Sequence, residues 1–125
     1  MVVGIGIDLE GVDRFRVLLE RWGERFEKKL FTDGERAYCR GRAKPAQHFA
    51  VRFAAKEAAL KAMGVPRGIG LEWQHFEVVS GPDGAPTLVL THAARAAADR
   101  LRVTRVHLTL THTDDTAAAF VILEA

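Results

Sequence analysis

The stretch "FAAKEAALKAMG", Phe53 to Gly64, constrains this chain more than any other. Its apolar spacing predicts a helix from about Gln47 to Met63, closed by Gly64, because glycine takes the left-handed conformation of a helix end without a steric penalty. At 100° per residue, Phe49, Phe53, Leu60 and Met63 form one apolar stripe. Val51, Ala55, Ala58, Ala59 and Ala62 form a second face of small residues. A helix apolar on two sides is buried on two sides. The chain has 125 residues, enough for one core and too few for two. Such a helix must then be the axis on which the remaining elements pack.

Charges interrupt that helix. Lys56 falls inside the aromatic stripe, with Glu57 and Lys61 beside it, four residues apart. They read in two ways. One is an exposed i,i+4 ion pair worth ~0.3–0.5 kcal/mol. The other follows from how little exposed strip the helix has: charges beside a core stripe are costly unless partnered. That makes Glu57 a carboxylate for a metal and Lys61 a cation for an anion.

A second carboxylate stands near the N-terminus. In "MVVGIGIDLE", Val3, Ile5, Ile7 and Leu9 alternate with Gly4, Gly6, Asp8 and Glu10. The alternation predicts a strand over 2–9 with the apolar row as its core face. The opposite face is bare until Asp8, so another backbone or a ligand can approach there. Asp8 either shapes the following turn or joins Glu57 as a pair suited to Mg²⁺, which takes one or two carboxylates and completes its octahedron with water and phosphate.

The remaining pattern supplies the frame. A helical segment runs from about Gly11 with Phe15, Leu18, Leu19 and Trp22 at helical spacing; Gly23 interrupts it, and a second short helix reaches Leu30. "TDGE" at Thr32 is a capping box that starts another helix, and Pro45 closes that region. Strands are expected over 72–79 and 87–90, around a "GPDG" turn, then a helix over 93–101. Two last strands, 103–112 and 116–123, join through a turn at Thr113–Asp115, with His112 and three threonine hydroxyls at one end. This order predicts a single α+β domain over 1–125, with a long central helix packed on a small antiparallel sheet.

The net charge of +2 conceals an asymmetry: Arg14 to Lys44 holds ten basic and five acidic side chains. Such a segment suits an acidic partner, or forms a solvated face of mixed charge. Cys39 is the sole cysteine, which excludes a disulfide framework and suits a reducing cytoplasm. The five histidines lack zinc-site spacing. The longest apolar run, Ala117 to Leu123, is too short to cross a bilayer, and the first residues lack a signal-peptide pattern.

Three stretches, "GIGIDLEGVDRF", "RFAAKEAALKAMG" and "HLTLTHTDDTAAAFVILE", together resemble holo-(acyl carrier protein) synthase, the small single-domain group of 4′-phosphopantetheinyl transferases. Their order and spacing extend the resemblance over nearly the whole chain. It implies transfer of the 4′-phosphopantetheine arm of coenzyme A to a serine of apo-acyl carrier protein, with release of adenosine 3′,5′-bisphosphate, in fatty acid biosynthesis. It implies that Asp8, Glu57 and Lys61 are catalytic. Asp8 and Glu57 would hold Mg²⁺, Lys61 would contact phosphate, and Glu57, directly or through a metal-bound water, would accept the serine proton. Lys44, Arg52, Gly64, His112 and Thr113 would surround coenzyme A. Arg14, Arg21, Arg25, Phe26 and Lys29 would dock the acidic helix of the carrier. A cytoplasmic homotrimer with active sites between subunits is implied as well, with neither nucleic acid nor membrane as partner. The chain departs from the family pattern at Val65-Pro66, where relatives often carry Thr-Gly, and at Thr109 and Thr111, where many carry serine. The reading from another class is a non-catalytic module whose basic helices hold an acidic protein or RNA.

Overall fold

The computed structural model describes residues 1–65 and 70–125. In chain order these form β1 (Val2–Gly11), α1 (Val12–Leu30), α2 (Asp33–Arg40), α3 (Pro45–Met63), a 3₁₀ turn (Trp73–His75), β2 (Phe76–Ser80), β3 (Pro86–Leu90), α4 (His92–Arg100), β4 (Arg105–His112) and β5 (Thr116–Glu124). β1, β5 and β4 make an antiparallel sheet in that order, and β2 pairs with β3 in a separate hairpin. The expected α+β architecture is present, with α3 at its centre.

α3 begins two residues earlier than its apolar pattern suggests, because Pro45 sits at its first turn, where its missing N–H costs nothing. Gly64 closes it at φ 66°, its N–H donating to the carbonyls of Leu60 and Lys61. Both predicted faces are buried. The alanine face and Met63 pack with Phe76, Val78, Ala94, Val121 and Leu123, while Phe49 and Val51 pack with Phe15, Leu19 and Phe31. The segment 72–79 is a strand only from Phe76, since Trp73–His75 first makes a turn of 3₁₀ helix.

β1 corrects the sequence reading. Its glycine row, not its isoleucine row, faces inward. A Cβ on Gly6 would lie 1.8 Å from the carbonyl oxygen of Ala58, and one on Gly4 1.9 Å from that of Ala62. The backbones of strand and helix are therefore in direct contact, which only glycine opposite alanine permits. Ile5, Ile7 and Leu9 are instead 60%, 58% and 66% exposed. The neighbouring β5 places Ile122 opposite Ile5 and Phe120 opposite Ile7, so the outer face of the sheet is a continuous apolar patch.

Lys56 is wholly buried. Its ammonium donates to Glu35 Oε1 at 2.7 Å, to the Trp73 carbonyl at 3.1 Å and to the Phe76 carbonyl. Burial pushes its pKa down, and the Glu35 carboxylate opposes that shift. Glu35 completes the predicted capping box by accepting from the Thr32 N–H, and its other oxygen accepts from the Val78 N–H at 3.0 Å. One ion pair thus ties α2, α3 and β2 together. The lysine in the aromatic stripe is a structural clamp.

Candidate active site

Beyond its two glycines, the inner face of β1 carries Asp8 and Glu10. α3 supplies Glu57 and, one turn later, Lys61. Lys61 Nζ donates to Asp8 Oδ1 at 3.1 Å and to the Ile7 carbonyl at 2.9 Å, while the rest of its side chain is half exposed. Asp8 Oδ2 is buried and receives no N–H. Glu57 is buried. The Glu10 carboxyl is pushed up from 4.5 to about 8, chiefly by burial, then by its hydrogen bond to Asp8 and the Asp8 charge, with Glu57 adding and Arg14 opposing. Burial therefore favours the protonated form of the Glu10 carboxyl. The strand alternation had placed Glu10 on this face, but nothing in the sequence distinguished it from a solvated glutamate.

These residues fit a hard divalent cation. Three carboxyl groups share one negative field, burial raises the pKa of one of them although Arg14 lies 3.6 Å away, and Asp8 Oδ2 is buried without a hydrogen-bond partner. Among the described residues no group of three or more His, Cys, Asp or Glu is placed to hold a metal ion by itself. A cation here would draw further ligands from water and substrate, as Mg²⁺ commonly does.

A second, positively charged cluster surrounds the N-terminal half of α3. The Arg42 and Arg52 guanidinium carbons lie 4.1 and 4.0 Å from the centre of the Tyr38 ring. Arg52 is 4% exposed and donates to the His48 carbonyl at 3.4 Å, and its Nε is buried without a partner. The His48 ring lies 6.0 Å from that of His112. Burial, then Arg52, His112 and Arg42, hold His48 below its ordinary pKa. A site that resists a further positive charge and keeps an arginine donor unused is built for an anion. Arg52 and His112 were singled out in the sequence. Tyr38, Arg42 and His48 were not, and their only signal is i,i+4 spacing, Tyr38 with Arg42 and His48 with Arg52.

The other expected residues are placed as follows. The Thr113 hydroxyl donates to Asp115 Oδ1 at 2.8 Å and accepts from the Thr116 N–H at 3.1 Å, so it shapes the β4–β5 turn. Lys44 flanks the start of α3, its ammonium 3.8 Å from Asp114. Gly64 holds the end of α3, and the loop beyond Val65 lies outside the described residues until Gly70. Arg14 pairs with Glu10 at 3.6 Å. Leu18, Trp22, Arg25, Phe26 and Lys29 line a groove of about 430 Å³ along α1. Arg21 lies over the Trp22 ring. Among the described residues Arg21, Arg25 and Lys29 have no carboxylate partner, whereas Arg36 and Arg40 on the other side are engaged by buried Glu27.

The whole arrangement has counterparts among known proteins. The family model described as the 4′-phosphopantetheinyl transferase superfamily matches residues 4–121. The holo-[acyl-carrier-protein] synthase of Methylorubrum extorquens (strain PA1) is 47% identical over 129 aligned residues, covering 100% of this chain and 95% of its own length. That of Solibacter usitatus is 44% identical, covering 99% of each. The fold superposes on the crystal structure of the Neisseria meningitidis enzyme with a TM-score of 0.91, at 29% identity and full coverage of both chains. It superposes on the Bacillus anthracis enzyme, solved in complex with CoA (3′,5′-ADP), with a TM-score of 0.82, at 31% identity over 100% of this chain and 98% of that one. A fold and a sequence shared end to end with these enzymes have one explanation: the chain belongs to the 4′-phosphopantetheinyl transferase superfamily, in its small holo-[acyl-carrier-protein] synthase group.

Proposed function

We propose that this protein transfers the 4′-phosphopantetheine group of coenzyme A to a serine of apo-acyl carrier protein, releasing adenosine 3′,5′-bisphosphate. The observation that carries the reading is the set of charges between β1 and α3: Asp8 with a buried oxygen that has no hydrogen-bond partner, buried Glu57 whose charge reaches Glu10 on the same strand face, and Lys61 at the rim. Asp8 and Glu57 are the residues that would hold Mg²⁺, and that ion would neutralise the pyrophosphate of coenzyme A. Lys61 has its ammonium at the site and its stem in solvent, so it can follow a phosphate oxygen and balance charge gathering on the leaving group. The serine oxygen bonds to the β-phosphorus, the bond from that phosphorus to the adenosine bisphosphate breaks, and the serine proton passes to Glu57, directly or through water. Positioning and charge neutralisation supply most of the acceleration in such transfers. Arg52, with Arg42, His48 and His112, takes the anionic nucleotide end, and Lys44 and Gly64, at the two ends of α3, are assigned to coenzyme A as well.

The same reading holds that the enzyme is a homotrimer with shared active sites, working in the cytoplasm. Two observations support sharing. Arg52 and Glu57 are five residues apart on one helix, hence about 140° apart around its axis, so one bound molecule cannot easily meet both in a single chain. The exposed Ile5, Ile7 and Leu9 row also suits a partner subunit, since a patch of this kind on a lone domain favours association. The carrier docks on the α1 groove, where Arg21, Arg25 and Lys29 meet its acidic helix and Phe26 its apolar face; Arg14 lies nearer the acidic site. No helix among the described residues is long and apolar enough to cross a membrane.

The test is direct. Incubation with coenzyme A, Mg²⁺ and apo-acyl carrier protein is expected to add one phosphopantetheine mass to the carrier, read by intact-protein mass spectrometry. No gain, with the carrier still bound, would overturn catalysis and leave a binding module.

A further inference from the structure

α1 is two helical segments that abut at a kink. Inside it, Gly23 has φ 58° and ψ −141°. That pair is the mirror image of the extended polyproline conformation, closed to L side chains and open to glycine. A Cβ on Gly23 would meet nothing within 4 Å, so the demand for glycine comes from the backbone alone and not from crowding.

Each half of the broken helix has its own anchors. The first is held by buried Val12, Phe15 and Leu19, and by the Val12 N–H donating to the Asp115 carbonyl at 3.0 Å. The second is held by Leu30, by the Glu27 carboxylate between Arg36 and Arg40, and by the Gln74 amide donating to the Lys28 and Phe31 carbonyls. Gly23 is the joint that fixes the angle between them. The α1 groove straddles that joint: Leu18 and Trp22 come from before it, and Arg25, Phe26 and Lys29 from after it. Trp22, half exposed, borders the break itself.

We propose that Gly23 is a positioning residue for the carrier protein. It sets the two halves of α1 at the angle that opens the groove to an acidic amphipathic helix, whose apolar side meets Leu18, Trp22 and Phe26 and whose carboxylates meet Arg21, Arg25 and Lys29. The proposal rests on the transfer reading above. It touches carrier recognition and leaves coenzyme A binding and the chemical step alone, since none of the residues at the break belongs to either.

Steady-state transfer kinetics with both substrates varied will test it. Gly23→Ala is expected to raise KM for apo-carrier about tenfold, equivalent to ~1.4 kcal/mol, with KM for coenzyme A and kcat at saturating carrier unchanged. The companion variant is Gly23→D-Ala, made by joining a synthetic 1–38 segment to recombinant 39–125 at Cys39. D-alanine adds the same methyl group yet favours the mirror-image conformation, so its carrier KM is expected at or below the parental value. Parental carrier KM in Gly23→Ala, a parallel loss of kcat or coenzyme A affinity, or a D-alanine protein whose carrier KM is raised would each overturn the proposal. If Gly23→Ala does not fold, the D-alanine protein decides alone by the same criterion. If the parent transfers nothing to carrier, it is the transfer reading that fails.

Discussion

Two lysines five residues apart on α3 should separate stability from activity. Lys56 is wholly buried against Glu35, and removing one partner of such a pair leaves an uncompensated charge at ~3–5 kcal/mol. Unfolding entropy of ~2.1 cal/mol/K per residue gives about 0.26 kcal/mol/K for a chain of this length. Lys56→Met is then expected to lower Tm by ~10–20 °C. Lys61 holds an ion pair at a half-exposed rim, where such pairs contribute ~0–1 kcal/mol, so Lys61→Met should move Tm by less than ~4 °C. Activity should rank the other way. Loss of a cation that stabilises developing charge costs ~10²–10³ in kcat, whereas Lys56→Met, assayed well below its melting temperature, should keep kcat within about threefold of the parent, its clamp lying outside the reacting groups. The measurements are thermal melts at one fixed protomer concentration, because association would make Tm concentration-dependent, and carrier transfer by mass spectrometry. Equal Tm losses, or a Lys61→Met protein that turns over normally, would refute the division of roles.

The shared-site arrangement predicts complementation. Glu57→Gln and Arg52→Ala should each be inactive alone, and co-refolding the two should restore part of the activity through mixed interfaces that carry one intact copy of each group; a mixture as inactive as its components would place the whole site within one chain. The acidic cluster predicts a pH-dependent stability in metal-free buffer. The Glu10 pKa is raised from 4.5 to about 8 on folding, so the folded state holds a proton that the unfolded state releases between those values. That contribution is complete below 4.5 and is lost as pH rises through 8, at up to ~1.4 kcal/mol per pH unit. Glu10→Gln should flatten the fall in Tm between pH 5 and 8 relative to the parent, and an unchanged slope in that variant would contradict the burial argument.

Much of this was legible in the sequence, for identifiable reasons. α3 announced itself because two apolar faces at a 3.6-residue period have no other solution in a short chain. The Thr32–Glu35 box and the Gly64 terminus were readable because each satisfies end groups that every helix leaves open. The break at Gly23 was visible as well, although only the backbone angles reveal it as a joint between separately anchored halves. Glu57 and Lys61 could be proposed because a helix apolar on two sides leaves little exposed strip for charge, and Asp8 because it stands on the strand face that Gly4 and Gly6 leave bare. The cationic cluster was harder to see. Arg42 sat in a basic run that also contained Arg36 and Arg40, and only its i,i+4 spacing from Tyr38 separates it from the guanidinium groups bound for Glu27.

β1 shows where the pattern argument stops. Alternation identifies two faces of a strand, and hydrophobicity is then used to choose the buried one. That choice assumes that burial is decided by transfer of apolar area within one chain. Here a different quantity decides it. α3 has a small-residue face, and a row of glycines lets it approach to backbone contact, which isoleucines would prevent. The close approach also brings Lys61 to Asp8 and the Glu57 charge within reach of Glu10; the same distance that excludes Ile5 and Ile7 from the interior gathers the acidic site. The isoleucines remain apolar and must be covered to be retained at no cost in solubility, so their exposure in one chain is itself an argument for a neighbour on that face. A strand whose glycines face in and whose isoleucines face out is consistent once the core and the interface are counted as two separate burials, each with its own face of the same ten residues.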